Sequence, residues 1–235
     1  VGSTSLTVGH RAVWRSAPLR LARVHRASAV GERLTLTFGG RPVPPTDVAD
    51  LLTGAGFAPV RPGPTSVVTT RRERTLPDFV APDLRVLVCG LNPSLHAADA
   101  GVGFVGPGNR FWPAAVAAGL VDTPRDPFAA VRVHGVGMTD LVKRATPAAA
   151  ALRPAEYRAG AARVERLVRR IRPATVCFVG LAGYRVAVDR HAGAGEQPAG
   201  FGGARAYVMP STSGLNAATS LAELTDHLGT ALSPR

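Results

Sequence analysis

Two kinds of hydrophobic pattern meet near residue 82. Before it, the segment RLTLTF (33–38) alternates apolar and polar positions, as a half-buried strand does, and ends at Gly39-Gly40. Thr46 is placed to cap a helix starting near Asp47, with Val48, Leu51 and Leu52 on one face and Gly54 and Gly56 closing it. The turn-rich segment RPGPTS (61–66) then leads into a second strand, Val67 to Thr70, and the Pro-bearing stretch from Leu76 to Pro82 reads as a linker.

After residue 82 the strands change character. RVLVC (85–89), ATVCFV (174–179) and ARAYVM (204–209) are short, nearly continuous apolar runs, the pattern of parallel strands buried on both faces. Helices alternate with them. Asn109 to Gly119 reads as one, and a second is expected around TDLVKR, with Thr139 and Asp140 as caps. Pro154 to Arg172 is the clearest: Tyr157, Ala161, Val164, Val168 and Ile171 recur at helical spacing, with arginines elsewhere, until Pro173 stops it. Another passes through Tyr184 and Val188, and Leu221, Leu224, Leu228 and Leu232 form the apolar stripe of the last. The expected fold is therefore a three-layer α/β/α domain with a central, mainly parallel sheet over 83–235, preceded by a small α+β appendage over 1–82. The length of 235 residues fits one full domain plus an appendage, at ~150 residues per domain.

Composition narrows the function classes. No apolar run approaches the ~18 residues of a spanning helix; the best candidate, Phe111 to Val121, is broken by Pro113 and Gly119. Two cysteines, Cys89 and Cys177, are too few for a disulfide framework or a four-cysteine zinc or iron–sulfur site. His134, His191 and His227 are dispersed and make no metal-ligand spacing, so neither metal nor cofactor is expected. Twenty-eight basic against sixteen acidic residues give a net charge of +12, and Lys143 is the sole lysine. The excess divides equally at residue 82, and its sign favours polyanionic partners, nucleic acid first; a generic basic surface is the alternative that charge alone leaves open. Residues 1–31 hold several arginines and no acid, as transit peptides do, but the chain opens on Val1 and not Met, as a fragment or processed form would.

Open α/β sheets place ligands at the carboxyl ends of their strands. Two such ends carry loops of Gly, Pro and small polar residues: Gly90 to Ser94, and Pro210 to Asn216. Between them lie Gly101-Val-Gly-Phe104 and PGNRFW (107–112). The run GLNPSLHAADAGVGFVGPGNRFWP resembles the first motif of the mismatch-specific uracil-DNA glycosylase and thymine-DNA glycosylase family, usually GINPG, then a Gly/aromatic stretch, then PGN-x-FW. GMTDLVKRAT (137–146) resembles that family's next block, and MPSTSGLNA (209–217) its second motif, in which a loop enters the DNA. The resemblance runs from about residue 84 to 232, with Ser94 standing where the family usually has Gly, a change expected to displace the loop slightly.

The resemblance implies a monofunctional DNA glycosylase that flips uracil, and by extension thymine or another modified pyrimidine, out of G:U or G:T mismatches and leaves an abasic site. Its partner would be double-stranded DNA, bound by a monomer in the cytoplasm at the bacterial nucleoid. By similarity, Asn92 positions the attacking water; as an amide it orients and hydrogen-bonds rather than acting as an ordinary general base. Phe104 stacks on the flipped base, Ala97 leaves space beside its 5-position, and Leu91 and Asn109 are further base-binding candidates. Leu215 corresponds to the wedge that fills the vacated stack. Gly214 and Asn216 face the widowed guanine largely through backbone, and Ser211 and Ser213, ahead of the last helix, are candidates for phosphate contact through their hydroxyls and the helix N-terminus. His96 lies near the first motif; Asp99 has no assigned role; Lys143 is expected as a surface charge on its helix rather than a Schiff-base lysine.

The runner-up is a non-catalytic nucleic-acid-binding module on the same fold. A third reading is a nucleotide- or cofactor-binding enzyme. The strand–helix–strand order before residue 82 is similar to the tail of a class I methyltransferase fold, but no cofactor-binding loop accompanies it. Residues 1–82 are otherwise expected to be a basic module that adds nonspecific DNA affinity or covers a face of the catalytic domain.

Overall fold

The computed structural model describes residues 2–7, 13–39, 43–60 and 67–233. The turn expected at 61–66 and the strand end at Gly40 lie outside the described residues.

Two sheets organise the chain. The first is built from β1 (Gly2–Thr7), β2 (Arg33–Gly39), β3 (Phe57–Pro59) and β4 (Val67–Arg72), in the order β1-β2-β4-β3. β1 and β2 run parallel, while β4 is antiparallel to both its neighbours. The alternation read in RLTLTF is realised: Leu34, Leu36 and Phe38 point into a core shared with α1 (Val13–Ala27) and α2 (Pro45–Gly54). α1 is a helix that the charge-rich opening did not announce. It buries Val13, Ala17 and Leu21 in spite of Pro18 in its interior. α2 starts at Pro45, a favourable first helical position, with no side-chain cap from Thr46.

The second sheet has the order β6-β5-β7-β9-β8. β5 (Val86–Gly90), β6 (Val136–Asp140), β7 (Thr175–Val179) and β9 (Ala204–Met209) are parallel, and β8 (Gly195–Phe201) closes one edge antiparallel to β9. Helices α3 (Leu95–Ala100), α4 (Phe111–Ala117), α5 (Pro127–His134), α6 (Pro154–Ile171), α7 (Leu181–Ala187) and α8 (Leu221–Leu232) flank it, giving the three-layer α/β/α arrangement with a mainly parallel centre. Every residue of β5, β6 and β7 is buried, which explains why β5 and β7 read as runs without alternation.

Three expectations need correction. Thr139 and Asp140 cap no helix; they are the last residues of β6, and a non-helical turn follows. The segment from Leu76 to Val80 is no exposed linker: every residue of it is buried, and Phe79 bridges to Met138 through backbone hydrogen bonds of 2.9 and 2.8 Å. Lys143 is no surface charge, since its Nζ lies 2.8 Å from Asp78 and its side chain is 10% exposed.

Asp78 gathers a buried network that ties this segment to the second sheet. Arg163 of α6 donates to it at 2.8 Å, and the Thr139 hydroxyl at 2.7 Å. Burial pushes the Asp78 carboxyl up, but Arg163, Lys143 and the hydrogen bonds outweigh that, and its pKa lies below the usual value. Further along α6, Arg166 makes a two-armed contact with Asp50 of α2, 2.8 Å on each arm. Arg170 reaches Asp47 and Asp50, and its guanidinium sits 5.2 Å over the Trp14 ring. Two of the arginines that the helical spacing left off the apolar stripe of α6, Arg166 and Arg170, thus make the contact between the two sheets' helices.

Candidate active site

The cavity opens where the parallel strands end. Gly90 of β5, Asp140 of β6, Val179 of β7 and Pro210 after β9 all line it, and its volume is about 830 Å³. Leu91, Asn92, Ala97, Phe104, Asn109, Ser211, Ser213, Gly214, Leu215 and Asn216, the candidates drawn from both motifs, also line it. The structure therefore brings the two loops to one place.

The first loop is stitched to the chain that follows β6. Backbone hydrogen bonds run from Leu141 to Gly90, from Val142 to Leu91 and from Thr146 to Pro93, at 2.8, 2.9 and 3.1 Å. Ser94 caps α3, its hydroxyl accepting from the Ala97 amide at 3.1 Å. Its φ of −71° and ψ of 161° are ordinary extended values, so the loop needs no glycine there and the departure from GINPG brings no backbone strain.

Asn92 sits inside this frame. Its Nδ2 donates to the Thr146 hydroxyl at 2.8 Å, to the Arg144 carbonyl at 3.0 Å and to the Pro93 carbonyl at 3.1 Å. Carbonyl oxygens accept and never donate, so they fix which end of the amide is the NH2. Oδ1 is left as the end with no hydrogen bond among the described residues, on a residue that lines the cavity. Sequence reading had passed over Thr146, whose own hydroxyl donates to the Ala148 carbonyl at 2.9 Å.

Phe104 adopts φ +59°, a left-handed conformation that disfavours a side chain. Its ring stacks on Phe111 with centroids 4.2 Å apart and planes inclined by 23°. Trp112 holds the same loop by donating from Nε1 to the Gly103 carbonyl at 2.9 Å. Phe111 and Trp112 are core, as their helical position implied. A Cβ on Gly90 would lie 2.7 Å from Oδ1 of Asp140 and 3.3 Å from Cζ of Phe104, so the bare glycine lets ring and carboxyl close over the strand end.

Asp140 is the most informative residue that the sequence reading missed as a site candidate. It is 9% exposed and lines the cavity, and no hydrogen bond reaches its carboxylate among the described residues. Burial, with the Asp78 charge adding to it, pushes its pKa up to about 6 against the pull of Lys143 and Arg163. A carboxyl that titrates so close to neutrality is poised to be either donor or acceptor.

The second loop is braced from α4. Arg110 donates to the carbonyls of Thr219 and Asn216, and its backbone N–H to the Thr212 carbonyl at 2.9 Å. Asn216 turns its amide inward, donating to the Ser211 carbonyl at 2.7 Å and the Thr219 hydroxyl at 3.1 Å. Asn109 likewise commits Oδ1 to the Phe111 amide at 3.0 Å. The loops touch at two glycines: a Cβ on Gly214 would meet the Gly108 and Pro107 carbonyls at 3.1 and 3.2 Å. At the tip, Leu215 is 96% exposed. The expected link between Ser211, Ser213 and the N-terminus of the last helix needs correction. That N-terminus belongs to Ser220, which shares a capping box with Glu223, and the serines instead accept from the amides of Ser213 and Leu215 at 3.2 and 3.3 Å.

Other titratable groups stand apart. His96 is exposed and Asp99 is held by Arg74 at 2.7 Å. Among the described residues no three His, Cys, Asp or Glu side chains are grouped to hold a metal ion, and no helix is long and apolar enough to cross a membrane.

Residues 77–231 match the sequence model of the uracil DNA glycosylase superfamily, well over half of the chain. The chain belongs to the uracil DNA glycosylase superfamily. That places it with DNA glycosylases, enzymes that hydrolyse the bond between a base and its sugar. The matched span begins within the buried segment carrying Asp78, and both loops of the cavity fall inside it. Among solved structures, the solution NMR structure of a protein from Methanosarcina acetivorans, provisionally named a uracil DNA glycosylase, is similar at 20% identity and a TM-score of 0.46, over 66% of this chain and 92% of that one.

Proposed function

We propose that the protein is a monofunctional glycosylase that excises uracil, and more slowly thymine or another 5-substituted pyrimidine, opposite guanine in double-stranded DNA. The observation that carries this reading is the orientation of Asn92. With Nδ2 tied to Thr146 and to two carbonyls, Oδ1 accepts a hydrogen bond from water and aims it at the sugar. The C1′–N1 bond breaks with its electron pair going to the base; water oxygen bonds to C1′ and gives up a proton to the departing base anion or to solvent. Charge develops on both fragments, so the pocket must favour an electron-rich base.

Phe104 offers a ring to the flipped base, and Asp140 faces its hydrogen-bonding edge. When ionised, Asp140 accepts from a ring N–H; when protonated, it donates to a carbonyl oxygen. Ala97 leaves room beside the 5-position. Leu215 enters the stack the base has left, with Gly214 and Asn216 presenting backbone to the unpaired guanine, and Ser211 and Ser213 near the phosphates. Mispaired bases cost less to extrude, which favours uracil opposite guanine over uracil opposite adenine. Lys143, held by Asp78, does not line the cavity, and this supports simple hydrolysis without a Schiff base. Catalysis is assigned to 83–235 together with the buried segment Leu76–Val80 that packs into its core, and the chain before that segment is a basic extension docked on it. The test is release of uracil from a labelled duplex, read as strand breakage at the abasic site after alkali; intact strands with DNA still bound would instead favour a binding module.

A further inference from the structure

We propose that Arg23, Arg26 and Arg132 form a phosphate-binding patch for the DNA backbone, built jointly by α1 and α5 beside the loop that carries Phe104. Their guanidinium carbons lie 5.5, 5.6 and 5.7 Å from the centroid of one ring, that of Phe128. All three arginines are exposed. None forms an ion pair with a carboxylate among the described residues, whereas Arg163, Arg166 and Arg170 on α6 each meet an aspartate within 3.0 Å. The charges of Arg163, Arg166 and Arg170 are met by aspartates; those of Arg23, Arg26 and Arg132 are not, among the described residues.

Three like charges gathered around one ring repel, with the repulsion screened over a Debye length of ~8 Å at physiological salt. The aromatic face offsets part of that repulsion and holds the planar groups in place. A phosphate, which guanidinium binds through paired N–H donors, would remove the rest. Position favours a nucleic acid as its source. The Arg26 side chain runs over Gly101, where a Cβ would lie 3.3 Å from its Nε. Gly101 is the left-handed C-cap of α3, and the chain reaches the cavity wall at Gly103 and Phe104 directly after it. A duplex engaged at the cavity would carry its flanking phosphates over this surface. Because α1 precedes residue 77, where the superfamily match begins, the patch also gives the N-terminal segment a share in DNA binding. The inference rests on the reading of the cavity as a DNA site.

The test is equilibrium binding of the full chain to a lesion-free duplex over a salt series, comparing wild type with R23Q/R26Q/R132Q and with R158Q, an exposed arginine elsewhere on α6. Each lost phosphate contact lowers the slope of log K against log salt by about 1, so the triple variant is expected to lose about 2 to 3, with R158Q unchanged. Its affinity at low salt should fall at least about tenfold, while excision at saturating enzyme keeps the wild-type rate. R26Q alone, expected to lower the slope by about 1, covers the case in which the triple variant does not fold by circular dichroism. An unchanged slope in a folded variant, or no duplex binding by wild type, would overturn the patch. If the slope falls but no uracil is ever released, the patch stands and the glycosylase reading fails. If uracil is released with an unchanged slope, the reverse holds.

Discussion

The side-chain amide of Asn92 donates at 2.8 Å to the hydroxyl of Thr146, a residue 54 positions away. The contact joins the end of β5 to the chain leaving β6, and with the Arg144 carbonyl it sets the direction of Oδ1. Thr146→Val removes the acceptor while keeping the shape. Single-turnover excision is expected to slow by on the order of tenfold or more, as loss of orientation does, at a stability cost of about 1 kcal/mol. Thr146→Ser should restore most of the rate; a valine variant as fast as wild type would remove Thr146 from the account.

Leu215 offers a second test because it supports nothing else. At 96% exposure its truncation to alanine should change stability by no more than about 0.5 kcal/mol. Excision from duplex should nevertheless fall, because filling the vacated stack offsets a few kcal/mol of unstacking. The same variant should act on single-stranded uracil DNA almost as wild type does. Equal loss on both substrates would mean that Leu215 is not a wedge.

Asp140 links the site to pH. Its carboxyl keeps its proton to about 6 in the folded chain and loses it near 3.8 when unfolded. Between those values the folded state binds more protons, so this group's contribution to stability falls as pH rises through the window. At 1.36 kcal/mol per pK unit the penalty at pH 7 is about 3 kcal/mol. Asp140→Asn should therefore be more stable at neutral pH, with the gain vanishing below about pH 4. It should also lose any step near pH 6 in its excision profile. A melting temperature equally raised at pH 4 and pH 7 would contradict the assignment.

Asp78 tests the tie between the two parts of the chain. Asp78→Asn leaves Arg163 and Lys143 buried without their anion, which costs about 3–5 kcal/mol for a buried network. Thermal unfolding should shift down by on the order of 10 °C. A shift of a degree or less would mean that the network is dispensable.

Residue pattern made some of this architecture legible and hid the rest for identifiable reasons. β5, β7 and β9 stand out because both faces are buried, and α6 because its apolar stripe recurs at helical spacing. α1 escaped notice because arginines and Pro18 obscure its stripe, and β8 because GEQPAGF neither alternates nor forms an apolar run. Asp140 resembles a helix cap in sequence, and only the register of β6 beside β5 places it at the cavity. Arg110 and Thr146 act through contacts 106 and 54 residues distant, which no local pattern records. The candidates in the two loops were found because their motifs are contiguous. The residues that hold them in place are not.

The most direct test of the central claim is single-turnover excision from duplexes carrying U:G, U:A or T:G, with wild type beside Asn92→Ala. Wild type is expected to release uracil fastest opposite guanine, and the variant to be slower by on the order of a hundredfold or more while binding the same duplex. Wild-type-like excision by Asn92→Ala would show that the oriented amide is not what delivers water, and would contradict the account at its centre.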